Sequence, residues 1–309
     1  MDQKSKFLSV VLLSALVVSF ESVAIEGALN TADLNLMLVC AFPSIIGGLL
    51  LMGISPRSTV QFTKDLKRQG WFAMTILCVL AATGTILWFD AIGRIGAGKE
   101  AILGGGSSEV LFVVILSAIF LSERLSKIEA IGGLMIVLGV MIVLVDAEDA
   151  TLTLSIGEIE AIVSSFFLGM SIILATYLLK KHDLTPFSGL ELLISGIMII
   201  VVATLLGWIH WPNVQGMVIL VVLGVFPAVG LLTYNAGLPK IGASLTSVLF
   251  ALNGIMTVGV QGLVLLVEHD ANVKLPDNVA LALLGGAIAF IGVYLVNRRA
   301  APEGPAVHR

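Results

Sequence analysis

Charge is scarce in this sequence. Lys, Arg, Asp and Glu together make up 12% of the 309 residues, about half the ~25% of an ordinary soluble domain and too few to cover a water-facing surface. That scarcity excludes a soluble enzyme. Polar or low-complexity stretches are also missing and the 9 Pro are scattered, which excludes disordered and collagen-like chains. Basic residues do not outnumber acidic ones, and the formal net charge of -4 leaves no footprint for nucleic acid. Cysteine is nearly absent: Cys40 and Cys78 both fall inside apolar runs without metal-ligand spacing, so they read as small core residues. What is abundant is apolar surface, 58% of residues with a mean hydropathy of +1.05, and glycine, 32 residues. Such a chain belongs in a bilayer.

A spanning helix needs about 20 apolar residues. Apolar runs bounded by charge, Gly or Pro fall near 7–26, 35–54, 70–89, 97–121, 127–145, 157–179, 187–208, 215–236, 241–267 and 279–297. They are too long and too continuous for the alternating strands of a barrel, and lipid offers no partner to open backbone groups, so each is predicted to be a helix. The fold class expected is therefore an all-α integral membrane protein with ten transmembrane helices. Lys4 and Lys6 ahead of the first run, with Ser22-Val23-Ala24 near its end, loosely mimic a cleavable signal. An uncleaved first helix is preferred, because this run has a counterpart later in the chain.

The basic residues orient the helices, since they collect on the cytoplasmic side. With the N-terminus inside, Lys4, Lys6, Arg57, Lys64, Lys67, Arg68, Arg124, Lys127, Lys180, Lys181, Lys240, Arg298, Arg299 and Arg309 are cytoplasmic and only Arg94, Lys99 and Lys274 lie outside, 14 against 3. Both termini are thus expected in the cytoplasm, and the membrane expected is the cytoplasmic one. All 4 Trp and all 3 Tyr fall near the ends of runs, where an interfacial aromatic belt is expected.

A shift of 146 residues superposes Ala82, Gly84, Trp88, Arg94, Ile95, Gly96 and Ala97 on Ala228, Gly230, Tyr234, Lys240, Ile241, Gly242 and Ala243, and Ser19-Phe20 on Ser165-Phe166. Near the end of each half, Gly132-Gly133 with Gly139-Val140 recurs as Gly285-Gly286 with Gly292-Val293. Two five-helix repeats follow, 1–150 and 151–309, and the odd helix number forces them into opposite orientations. Inverted repeats are a transporter device.

These features resemble the drug/metabolite transporter superfamily, the ten-helix carriers with paired EamA-type repeats. The resemblance rests on the corner Ala91-Ile92-Gly93-Arg94-Ile95-Gly96-Ala97, on Leu121-Ser122-Glu123-Arg124-Leu125, and on the Gly132 to Val140 segment. Counterparts lie at Ala236 to Ala243, Glu268 and Gly285 to Val293. It covers the whole chain and implies a central site lined by the first, third, fourth, sixth, eighth and ninth helices. One departure is that a proline usual in the fourth helix is Glu109 here, with Gly254 at the equivalent place in the second half.

Ionisable residues inside a membrane are costly and mark function. Glu109 is the midpoint of the fourth run, about 18 Å from either end at the helical rise, beyond the reach of a snorkelling glutamate. Gly104-Gly105-Gly106-Ser107-Ser108 beside it leaves room for water or substrate. Glu109, with Ser107 and Ser108, is the first candidate for a substrate or proton site, against a protonated, structurally satisfied carboxyl. Glu21 lies nearer the outer end and fits either coupling or a water-filled vestibule. Glu191, one turn into the seventh run with Ser195, is read as facing an inner aqueous cavity. Glu26, Asp33, Glu148 and Asp149 are read as ordinary loop charges. The ninth run carries Thr246, Asn253, Thr257 and Gln261 near one face; cavity lining and interhelical hydrogen-bond glue are the two readings. The sixth run offers Ser164 and Ser171 beside Phe166 and Phe167.

Gly93-Arg94-Ile95-Gly96-Ala97-Gly98-Lys99 satisfies the spacing of a phosphate-binding loop, but Glu100 replaces the Ser or Thr that holds Mg and no strand precedes it. It is a decoy. The four His lie at interfaces or in the tail, and no triad or metal spacing appears. No enzyme, no metal and no cofactor is therefore expected. The function expected is secondary transport of a small metabolite, amino acid or drug-like molecule, outward and proton-coupled, by alternating access. An integral-membrane enzyme and a channel or sensor are the alternatives. The partners expected are a small-molecule substrate, protons and membrane lipid, with a homodimer admitted and nucleic acid excluded.

Overall fold

The computed structural model describes residues 3–30, 34–120, 127–144, 154–268, 271–276 and 278–297. Helix fills them and no strand occurs among them. The elements are α1 (Gln3–Asn30), α2 (Leu36–Ile54), α3 (Pro56–Asp65), α4 (Arg68–Ile95), α5 (Ala97–Leu103), a π-helical turn (Gly104–Ser108), α6 (Glu109–Phe120) and α7 (Lys127–Val143) in the first half. The second half holds α8 (Ile156–Leu179), α9 (Leu184–Leu205), α10 (Val214–Leu223), α11 (Val225–Ile241), α12 (Ala243–Phe250), α13 (Leu252–Val267) and α14 (Val279–Asn297).

Eight segments are long and apolar enough to cross a membrane: α1, α2, α4, α5 through α6, α8, α9, α10 through α11, and α12 through α13. The two remaining runs of the expected ten form shorter apolar helices, Ile131–Val143 and Val279–Leu295. The helix α3 was not expected from the sequence. Pro56 opens it, Thr59 and Phe62 are buried, and Arg57, Gln61 and Lys64 face outward.

Two corners repeat the same backbone. Gly96 (φ 79°) separates α4 from α5, and Gly242 (φ 87°) separates α11 from α12. These positions are 146 residues apart, and the left-handed conformation they adopt is open to glycine at little cost. Elsewhere polar caps set the helix starts: Asn35 accepts from Met37 N at 2.8 Å and Asn213 from Gly216 N at 2.8 Å, while Ser155 and Glu158 form a capping box on α8.

Helices pair across the halves through small residues, as expected where lipid supplies no hydrophobic drive between them. A Cβ at Gly48 of α2 would lie 2.7 Å from Gly189 O of α9, and one at Gly196 would lie 2.7 Å from Ala41 O. As numbers rise on α2 they fall on α9, so the pair is antiparallel. The same holds for α7 and α14, where Cβ atoms at Gly285 and Gly292 would lie 2.6 Å from Gly139 O and 2.5 Å from Gly132 O. It holds again where α5 crosses α13: Gly254 backs onto Ala101 O (3.0 Å) and Gly98 onto Val258 (3.0 Å). The other two pairs exchange under the repeat, α1 packing on α11 at Val18–Gly230 and Val11–Gly237, and α8 on α4 at Leu168–Gly84 and Gly157–Arg94. Equivalent helices of the two halves thus run in opposite directions through the bundle.

Charges near one end of the bundle are paired. Lys99 Nζ meets Glu158 Oε1 at 2.6 Å, and Arg94 bridges Asp90 and Glu160, each at 3.0 Å. Glu26 corrects an expectation. It is not a loop charge but a buried residue of α1, accepting hydrogen bonds from Ala97 N (3.2 Å), Lys274 N (2.8 Å) and Gln261 Nε2 (2.7 Å). Helix α1 continues a turn beyond its apolar run, and the segment before α14 folds over it. Asp33, Glu148, Asp149, Glu123 and Arg124 lie outside the described residues.

Candidate functional site

A cavity of about 160 Å³ sits between the halves. Its walls come from α1 (Ser14, Val18, Glu21), α4 (Thr85, Trp88, Phe89), α6 (Glu109), α8 (Ser171), α9 (Glu191, Ser195), α11 (Tyr234, Asn235) and α12 (Phe250), with Ser44 from α2. The set is wider than the resemblance implies. The second and seventh runs also reach it, through Ser44 and Glu191.

Local structure explains why Glu109 points here. Three consecutive glycines have little helix propensity, and in their place the span opens into the π-turn Gly104–Ser108, a form common at functional sites. Glu109 begins the α-helix that resumes after it. The proline that the resemblance would place at Glu109 is absent, and the break is made by glycine instead. In the second half the equivalent break falls at Ala251, between α12 and α13.

Three carboxylates line the cavity, each at most 5% exposed: Glu21, Glu109 and Glu191. Helix α11 gathers them. Tyr234 OH lies 3.4 Å from Glu109 Oε1 and 2.9 Å from Ser247 Oγ, the next residue Asn235 donates to Glu191 Oε2 at 3.1 Å and to Ser188 Oγ at 3.0 Å, and the Gly230 backbone faces Glu21. Among the described residues Glu21 has no hydrogen-bond or ion-pair partner, and no Lys, Arg or His lines the cavity. Trp88 donates from Nε1 to Glu100 Oε2 at 2.7 Å, a fourth buried carboxylate just behind the wall. Rings face inward in two edge-on pairs, Trp88 with Phe89 (4.8 Å) and Tyr234 with Phe250 (5.1 Å).

The structure brings Glu21, Glu109, Glu191, Ser195 and Ser171 to one cavity and places the other candidates elsewhere. Ser107 and Ser108 are buried in the π-turn, Ser107 Oγ donating to Ile102 O at 2.5 Å. Asn253 lies between α13 and α1, its Oδ1 accepting from Ser19 Oγ (2.8 Å) and Thr257 Oγ1 (3.0 Å). Gln261 belongs to the Glu26 cluster. Ser164 Oγ bonds back to Ala161 O at 2.8 Å. Phe166 turns outward, 40% exposed, against Phe112 and Phe167. Trp88 and Tyr234 depart from the aromatic belt: they line the cavity, whereas Trp71, Trp208, Trp211, Tyr177 and Tyr294 are exposed. No cluster of potential metal ligands occurs among the described residues.

A family model described as the EamA-like transporter family matches the chain twice, over residues 5–145 and 155–298. The chain belongs to the EamA-like transporter family. The resemblance read from the Gly96 and Gly242 corners is thereby shown, and with it a multi-pass membrane protein of a transporter family built from two repeats. A crystal structure of another protein, 16% identical, aligns with a TM-score of 0.64 over 93% of this chain and 95% of that one. At that identity the likeness concerns the fold. Among curated proteins none matches the chain.

Proposed function

We propose that this EamA-like protein is a secondary carrier that moves a small solute outward across the cytoplasmic membrane by alternating access, in exchange for protons. The observation that carries the reading is Glu109, a carboxylate at the middle of a span, facing a cavity walled by both repeats. An ion there is expensive in low dielectric, so the site is neutralised by a proton or by a cation brought from solution. Two occupants that exclude each other at one group, exposed to one side at a time, make an exchanger. The 14 to 3 division of basic residues supports cytoplasmic termini. Ten crossings are supported by the antiparallel pairing of α7 with α14, which follows the pattern of the longer spans.

The test is reconstitution into liposomes with an entrapped pH dye. An imposed pH gradient should drive solute accumulation, and the solute added alone should move protons the other way. A flux that neither saturates nor moves protons would replace the carrier with a channel.

A further inference from the structure

We infer that the solute is a linear aliphatic amine with two or more ammonium groups. This deepens the carrier reading and rests on it. Glu21, Glu109 and Glu191 come from three different helices, yet all meet α11 between Gly230 and Asn235, five residue steps that span about 7.5 Å of helix axis. Their protein partners are neutral and few: a long contact from a phenol, one amide N–H, and for Glu21 none among the described residues. Glu21 is 4% exposed and lines the cavity, so its only route to a partner is through the cavity contents.

A single ammonium group satisfies one carboxylate and leaves the others to protons. An α,ω-diamine satisfies two at once, each through a charge-assisted hydrogen bond, and its methylene chain suits the remaining wall. Trp88, Phe89, Phe250 and Tyr234 present ring surface there, which favours both apolar contact and the flank of an ammonium group. A solute bearing its own carboxylate meets three glutamates and no cationic side chain, a like-charge arrangement that rejects it. Amino acids are disfavoured on that ground, and a narrow cavity favours a slender chain over a branched one.

Isothermal titration of the purified full-length protein separates the possibilities, with 1,4-diaminobutane, 1-aminobutane and 4-aminobutanoate as probes. The diamine should bind about tenfold or more tightly than the monoamine, and 4-aminobutanoate should not compete. Titration in buffers of different ionisation enthalpy should show about two protons displaced by the diamine and about one by the monoamine. Glu21→Gln and Glu191→Gln, near-isosteric and checked for folding by gel filtration, should each bring the diamine towards the monoamine. Equal affinity for diamine and monoamine, equal proton release, or competition by 4-aminobutanoate overturns the inference. Dye-loaded liposomes separate its failure from that of the carrier. Accumulation of a non-amine solute with no amine binding leaves the carrier standing and removes the polyamine. Diamine binding without proton-linked flux does the reverse.

Discussion

Trp88 holds Glu100: the indole Nε1 donates to Glu100 Oε2 at 2.7 Å, from a ring that also forms the cavity wall. Its repeat equivalent, Tyr234, does the same kind of work with different chemistry, its hydroxyl lying between Ser247 Oγ and Glu109 Oε1. The two halves therefore place one aromatic hydrogen-bonding residue each at the equivalent repeat position, and each ties the cavity to the helix that follows its own glycine corner. Trp88→Phe keeps a ring but leaves a buried carboxylate oxygen without its donor, a loss of about 1–3 kcal/mol. The variant should melt several degrees lower in detergent than wild type. Adding Glu100→Gln removes the charge and should recover most of the difference; no recovery would show that ring packing, not the hydrogen bond, is what the substitution removes.

The position of Asn253 fits the hydrogen-bond reading. Bonded to Ser19 and Thr257 and away from the cavity wall, it acts between α1 and α13. Asn253→Leu should lower the melting temperature by an amount corresponding to about 0.6–1.7 kcal/mol per interhelical bond, while solute affinity of the folded fraction stays near wild type. A selective loss of affinity with unchanged melting would restore it to the site.

The α7 and α14 crossing makes a sharper demand. A Cβ on Gly285 would meet Gly139 O at 2.6 Å and one on Gly292 would meet Gly132 O at 2.5 Å, both backbone atoms that cannot swing aside, whereas one on Gly133 would find its nearest neighbour, Leu111 Cδ1, at 3.7 Å. Gly285→Ala and Gly292→Ala should each reduce the yield of monodisperse protein, and Gly133→Ala should not. Fluorescence-detected gel filtration reads all three.

Much of this was legible in the sequence, and the misses share a cause. Repeating glycines marked the Gly96 and Gly242 corners, where a positive φ requires a missing side chain, whereas the same repeat at Gly132, Gly139, Gly285 and Gly292 was read only as duplication and turns out to be where α7 and α14 touch. Glu109 was legible because a charge halfway along an apolar run has no other exit. Trp88 and Tyr234 were read as belt residues because the runs end at 89 and 236. The helices, however, continue to Ile95 and Ile241, which places both rings well inside their helices. Polar residues near the run ends do not end the helix: Asp90 is paired with Arg94, and Asn235 faces Ser188 and Glu191. Glu26 was missed in the same way. Two of its three donors, Ala97 N and Lys274 N, are backbone groups brought in by tertiary structure, which side-chain spacing does not reveal. The helix α3 escaped notice because ten polar-looking residues between two spans read as a loop until Phe62 finds His182 and Phe187.

Orientation is open to direct labelling. Cys40 and Cys78 are both fully buried, so the native chain should stay unlabelled by an impermeant maleimide. A cysteine at His210, exposed between α9 and α10, should react from outside intact cells. Cysteines at Lys67 or Lys181 should react only after permeabilisation. The opposite pattern would invert the assignment of both termini.

In the proposed exchange Glu109 is the coupling carboxylate, and the glutamine variant tests it. Glutamine preserves the volume of the side chain and can still meet Tyr234 OH, 3.4 Å away in the native protein, but it neither binds nor releases a proton. If protons and solute compete at this carboxylate, lowering the pH should weaken solute binding in the wild type, because protonation removes the charge that an ammonium group needs. In Glu109→Gln that pH dependence should shrink to what Glu21 and Glu191 contribute. Accumulation driven by a pH gradient should fall with it, since fewer protons then have to accompany the return of the empty site. Solute exchange at equal pH on the two sides needs no net proton transfer, so some of it should survive as evidence that the variant is folded and binding. Full gradient-driven accumulation with unchanged pH dependence would make Glu109 a structural residue and shift the coupling to Glu21, the cavity carboxylate without a protein partner among the described residues.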